Sequence, residues 1–217
     1  MTETYRHKGL RRKLVESLRN RGITNEAILQ VINTIPRHYF LDKAFEEWAY
    51  QDKAFPIGNK QTISQPYTVA YQTDLLAIKK RDKVMEIGTG SGYQAAVLAA
   101  LGARVFSIER QEALHKKAKS FLPKLGYPSI RLFYKDGYKG LPEFAPFDKI
   151  LVTAGATKVP EALKQQLKIK GLLVIPVGDA KRQQMLRITR ISETEFMEEA
   201  FDLFAFVPFK EGVNGVR

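Results

Sequence analysis

The run "VMEIGTGSG" sets Gly88, Gly90 and Gly92 between an apolar stretch and an alanine-rich one. A strand that enters a helix through such a turn leaves bare backbone at the helix N-terminus, where a nucleotide-like ligand can come close. The spacing is G-x-G-x-G, and Tyr93 stands where the dinucleotide fingerprint has its third glycine, which argues against NAD. Glu86, two residues before the first glycine, would repel a pyrophosphate and suits a ligand with an ammonium-bearing part. Glu109 ends "FSIER" about 20 residues after the turn, where a carboxylate can accept two ribose hydroxyls. Asp136 and Gly137, in "YKDGYKG", follow a third apolar run and can take an adenine amino group. Three acids at three successive strand ends match S-adenosylmethionine, whose sulfonium and ammonium are cationic and which carries no phosphate. The plainer reading is a tight strand–helix turn with acids that cap the following helices.

These residues need a scaffold, and the chain supplies a regular one. "KVMEI", "RVFSI", "IRLFY", "KILVT" and "LLVIPV" read as strands. Between them lie an alanine-rich helix at 93–101, an amphipathic helix marked by Leu114, Ala118, Phe121, Leu122 and Leu125, and "VPEALKQQL", with Pro160 near its first turn. This alternation predicts an α/β fold with a parallel sheet covered on both faces. "MLRITRI" and "FDLFAFVPF" suit closing antiparallel strands. Upstream, Leu10, Leu14, Val15 and Leu18 share one helical face stopped by Gly22. A second helix, capped by Thr24, runs to Pro36. Residues 36–60 read as irregular, and a helix begins at Pro66 and runs to about Ile78. The whole reads as one domain, 1–217, with a helical extension over 1–60 and the core over 61–217.

With 217 residues the chain can bury roughly 70% of its unfolded surface and needs no staple. The absence of cysteine excludes disulfides, thiolate metal sites and a cysteine nucleophile. His7, His38 and His115 are spread out without ligand spacing, so no metal is expected; His38 reads as a structural hydrogen-bonder. The start is polar and basic, and no run approaches 18 apolar residues, so a cytoplasmic protein without membrane attachment is expected. The net charge of +12 is spread over separate stretches, Arg6 to Arg21 and Lys181 to Arg190 among them, and reads as a solvated basic surface.

"IPRHYF" (35–40), "QTISQPYTVA" (61–70), "EIGTGSGY" (86–93), "DGYKGLPEFAPFDKI" (136–150), "VTAGA" (152–156) and "LLVIPVG" (172–178) together resemble the protein-L-isoaspartate O-methyltransferase family over nearly the whole chain. The "QTIS" and "DG…APFD" runs carry most of the specificity. Two departures adjoin the site. Lys135 replaces a small residue before the Asp-Gly pair, and Lys170-Gly171 replaces a Gly-Gly pair before the fifth strand. The resemblance implies a Rossmann-like class I methyltransferase that transfers a methyl group from S-adenosylmethionine to the free α-carboxylate of L-isoaspartyl residues. The partners it implies are damaged proteins and peptides, and a monomer is the default. It implies a cofactor site of Gln61, Thr62, Ile63, Glu86, Gly88, Thr89, Gly90, Ser91, Gly92, Glu109, Arg110, Asp136, Gly137 and Thr153.

The same resemblance assigns the active site to Ser64, supported by Thr62. The substrate carboxylate, with a pKa of roughly 3.5, is ionised at neutral pH and needs no general base. It needs position, and a neutral hydroxyl orients it without lowering its nucleophilicity as a clamped cation would. The plainer reading is that Ser64 caps the helix starting near Pro66. Gln61 and Gln65 read as loop amides. "VTAGA" offers small residues for a substrate groove or for tight packing, and Phe206-Val207-Pro208 either closes the site or fills the core. Two other functions stay open: a ribose-methylating nucleic-acid enzyme, and a non-catalytic S-adenosylmethionine-binding module.

Overall fold

The computed structural model describes residues 3–214. Helix α1 (Tyr5–Asn20) is opened by Thr4, whose hydroxyl accepts the His7 amide while the His7 ring accepts the Thr4 amide. Helix α2 (Glu26–Thr34) is capped by Asn25 rather than Thr24, because the Asn25 side chain reaches the Ile28 amide at 3.4 Å. Residues 36–60 are more ordered than their composition suggests. They form two 3₁₀ turns, Arg37–Phe40 and Lys43–Trp48, and strand β1 (Phe55–Gly58). β1 pairs antiparallel with β2 (Gln61–Ile63). Asn59 and Lys60, at φ 51° and 57°, form the two-residue turn between them. Three of the four residues of the polar "QTIS" run are therefore strand. Helix α3 (Pro66–Leu76) stops at Ala77, whose φ of 47° leaves Ile78 outside.

The remaining elements are β3 (Lys83–Ile87), α4 (Tyr93–Ala100), β4 (Arg104–Glu109), α5 (Glu112–Phe121), β5 (Arg131–Tyr134), β6 (Phe147–Val152), α6 (Glu161–Gln165), β7 (Leu167–Gly178), β8 (Gln183–Arg190) and β9 (Phe196–Phe204). They build one sheet in the order β5-β4-β3-β6-β7-β8-β9. The first five strands in that order are parallel, and β8 and β9 return antiparallel. Alternate residues along each strand enter opposite layers. Val84, Val105, Leu151 and Val174 pack with α1 to α4, so the N-terminal helices share that layer. Met85, Phe106, Ile150 and Leu173 pack on the other face with Leu163 of α6.

Three boundaries differ from the sequence expectation. α6 is short and Pro160 is its N-cap, because the buried Arg190 guanidinium takes the carbonyls of Gln165 and Leu167 and starts β7 there. β7 advances five residues, Leu167 to Leu172, where β6 advances two, Phe147 to Lys149, and the bulge holds Lys170 at φ 66°. β9 begins at Phe196 and ends at Phe204, so Phe206-Val207-Pro208 is not strand. Instead it runs beside Gly155, whose amide donates to the Val207 carbonyl at 2.8 Å.

Candidate active site

The strand order reverses between β3 and β6, which opens a crevice beyond the carboxyl ends of the parallel strands. A cleft of about 590 Å³ lies there. Of the residues expected from the sequence it gathers Gln61, Thr62, Gly88, Gly90, Glu109, Arg110, Gly137 and Thr153, and residues 207–210 close its far wall.

The glycines keep this cleft open. A Cβ on Gly88 would lie 2.4 Å from Thr153 Oγ1, and one on Gly137 would lie 2.4 Å from Ile87 Cγ2. Gly88, Gly90 and Gly92 also take φ of 100°, 53° and 87°, a region costly for any side chain. Thr153 Oγ1 donates to the carbonyls of Ile87 and Gly88, which ties the end of β6 to the turn.

Glu109 is buried at the cleft, and its carboxylate accepts the Gly90 and Gln111 amides, each at 2.8 Å. It thus serves the turn and the N-cap of α5 together, with lone pairs left over for a ligand. Burial raises its pKa against those hydrogen bonds. Glu86 does not line the cleft. It lies fully buried beneath the turn, where Ser107 Oγ donates to one oxygen and the other, Oε1, has no partner. Burial pushes its pKa up to about 8. Burial thus holds Glu86 mostly protonated at neutral pH beneath the turn, and Glu109 is the carboxylate that the cleft offers to a ligand with a cationic end. Asp136 stands off the cleft and accepts the Tyr138 amide at 3.0 Å, capping a 3₁₀ turn. The Arg110 side chain turns away to the carbonyls of Gly212 and Glu211, strapping the C-terminal segment. Phe209 of that segment stacks on Tyr138 with centroids 4.1 Å apart.

Ile63, Ser64, Thr89 and Ser91 line an adjoining depression with Tyr93 and Gln94, and Gly92 sits behind it against Leu122. Another depression, of about 340 Å³, joins Thr62, Ser64, Gln65 and Thr153 to Ala205, Phe206 and Val207. Ser64 and Thr62 therefore stand between the glycine turn and a separate groove. Ser64 does not cap α3: the N-cap is Gln65, without a side-chain hydrogen bond. The Ser64 hydroxyl makes no hydrogen bond among the described residues. What fixes this residue is Arg37, which the sequence reading passed over. Arg37 is fully buried and donates to the carbonyls of Ala49 at 3.0 Å and Ser64 at 2.9 Å. Burial lowers its pKa to about 10. The available signal was an arginine set among Ile35, Pro36 and Phe40.

The histidines are not all separate. His7 and His38 stack with centroids 3.9 Å apart, and Glu46 lies 3.4 Å from His7 Nε2. These three could converge on a metal ion. Such a bond at His7 Nε2 would require a proton on Nδ1, where the ring instead accepts the Thr4 amide. His38 bonds Tyr50 at 2.7 Å.

An α/β sheet of this order, with a glycine turn at the switch point and acids at two strand ends beside it, is that of a class I S-adenosylmethionine-dependent methyltransferase. A sequence profile of the protein-L-isoaspartate(D-aspartate) O-methyltransferase family matches residues 9–214, and the chain belongs to that family. Protein-L-isoaspartate O-methyltransferases of Christiangramia forsetii and Flavobacterium psychrophilum are each 58% identical to it, covering 99% of this chain and 100% of theirs. A solved protein-L-isoaspartate O-methyltransferase superposes with a TM-score of 0.84 at 29% identity, over 94% of this chain and 67% of its own. A Plasmodium falciparum protein crystallised with S-adenosyl-L-homocysteine shares the fold, with a TM-score of 0.80 at 24% identity, over 92% of this chain and 98% of its own.

Proposed function

We propose that the protein methylates the free α-carboxylate of L-isoaspartyl residues in damaged proteins and peptides. The observation that carries this is the Ser64 hydroxyl, unpartnered and placed where the cleft meets a second groove. S-adenosylmethionine supplies an electrophilic methyl group. Glu109, the bare backbone of Gly88 to Gly92, Gly137 and Thr153 would hold it, with Gln61, Thr62 and Ile63 along the near side. Glu86 acts through the turn rather than by lining the cleft, and Asp136 acts through the 3₁₀ turn that carries Gly137. Arg110 acts by holding the C-terminal segment over the far wall.

Ser64 donates to one oxygen of the substrate carboxylate and leaves the other free to attack. Thr62 and Thr153 flank it without adding charge. The carboxylate oxygen gains the methyl group, and its negative charge is matched by loss of the sulfonium charge. The resulting ester closes with loss of methanol to a succinimide, whose hydrolysis returns part of the material to normal aspartate. Because the substrate is already ionised, the gain comes from position and exclusion of water, an effect of up to about 7–11 kcal/mol for well-oriented groups.

Residues 1–60 act here as part of one methyltransferase unit, and the protein works as a monomer in the cytoplasm without nucleic acid. No helix among the described residues is long and apolar enough to cross a membrane. The test is methyl transfer to paired synthetic peptides, one with Asp and one with isoAsp. Base-labile label in the isoAsp peptide alone is expected. Cofactor binding without transfer to either peptide would defeat the reading.

A further inference from the structure

The groove beside Ser64 does not end there. Gln65, Thr68 and Ala205 are shared with a larger depression of about 1020 Å³, whose other walls include Arg21, Tyr67, Lys181, Arg182 and Asp202. The fold thus joins two basic stretches that are 160 residues apart in the chain. Arg21 lies over the Tyr67 ring at 3.7 Å and pairs with Asp52, which also accepts the Tyr67 amide. That pair keeps Arg21 in place. Lys181 and Arg182 are exposed on the β7–β8 turn. Their backbone amides bond Asp179, and their side chains have no ion-pair partner among the described residues. Asp202 is the one carboxylate on the lining.

We infer that this groove holds the polypeptide flanking the isoaspartyl residue and favours substrates with an acidic side chain close to the damaged position. The inference rests on the isoaspartyl reading above. Lys181 and Arg182 supply two positive charges outside any ion pair among the described residues, beside Asp179 and across the lining from Asp202, and the continuity with Ser64 through Gln65 sets the reach. At about 3.3 Å per extended residue, the groove meets a chain within roughly three residues of the modified site. Ion pairs at such exposure are individually weak, but a change from attraction to repulsion at two cations gives a measurable preference.

The test uses the full-length protein and isoAsp peptides of one length, uncharged except for a single Glu or Lys two or three residues away on either side. On one side, kcat/KM should be about 3- to 10-fold higher with Glu than with Lys. This ratio should fall toward one near 1 M salt, where the screening length is about 3 Å. In the double variant Lys181→Glu, Arg182→Glu the preference should invert. The salt arm needs no variant, so misfolding cannot mask the result. Equal rates for Glu and Lys peptides on both sides would overturn the inference while a methylated uncharged isoAsp peptide leaves the activity standing. If that uncharged peptide is not methylated, the isoaspartyl reading fails and the subsite with it. Inhibition by a short RNA without any difference between the peptides would give the groove to another polyanion and also overturn the inference.

Discussion

Replacing Glu86 by Gln should stabilise the protein, and the gain should grow with pH. Glu86 is fully buried, one of its oxygens has no partner, and its folded pKa is about 8 against an ordinary 4.5. A carboxyl with a raised folded pKa contributes stability that is present below about pH 4.5. That stability is lost as pH rises toward about 8, because across the window the native state holds a proton that the unfolded chain has released. The slope is about −1.4 kcal/mol per pH unit. At pH 7 wild type has therefore lost on the order of 3 kcal/mol relative to a permanently neutral side chain. Gln keeps the volume, and its carbonyl can accept the Ser107 hydroxyl, but it cannot ionise. For a chain of this size about 3 kcal/mol corresponds to roughly 6–12 °C in Tm. Thermal melts of both proteins without cofactor, from pH 5 to pH 8, isolate the effect, since His38, His115 and Glu109 titrate in both. The difference in Tm should be small at pH 5 and widen toward pH 8. Parallel curves, or a Gln variant that loses ground as pH rises, would refute the account of Glu86 as a carboxyl that burial keeps protonated.

Ser64→Ala should lower kcat/KM for isoAsp peptides about 10- to 100-fold, the size of one hydrogen bond to a charged partner, while calorimetry finds cofactor affinity unchanged. Arg37→Met leaves the carbonyls of Ala49 and Ser64 without their donor. It should cost about 2–5 kcal/mol in urea unfolding and reduce peptide turnover more than cofactor binding. Lys170→Gly should raise stability by about 0.5–1 kcal/mol, read as a higher urea midpoint, because Lys170 takes φ 66° at the bulge in β7.

The parallel core was legible because its signals are local. Each strand is a short apolar run and each crossover helix has its own period. These signals predict a parallel sheet covered on both faces, while the strand order and its reversal between β3 and β6 come from tertiary packing that no single segment announces. The irregular parts depended on partners far along the chain. Arg190 sets where α6 ends, and nothing near Gln165 announces it. The hairpin of β1 and β2 needs Asn59 and Lys60 in the left-handed region, which is a weak signal without glycine. His7 and His38 meet only because α1 packs on the first 3₁₀ turn.

The site shows the same division. Glu109 and the three glycines were readable as a set, since strand ends and spacing alone bring them to one edge. Local chemistry favoured a capping role for Ser64, and that role would have used up the hydroxyl that the proposed reaction needs. The helix avoids this need because Pro66 at its first position has no amide to satisfy and the next amide, of Tyr67, is accepted by Asp52 at 2.7 Å. Arg37, buried 27 residues upstream, holds the Ser64 backbone from behind. A hydroxyl fixed through its main chain and free at its side chain is preorganised for a ligand. The local sequence contains both ingredients, the proline and the serine, but not the arginine that makes the arrangement rigid.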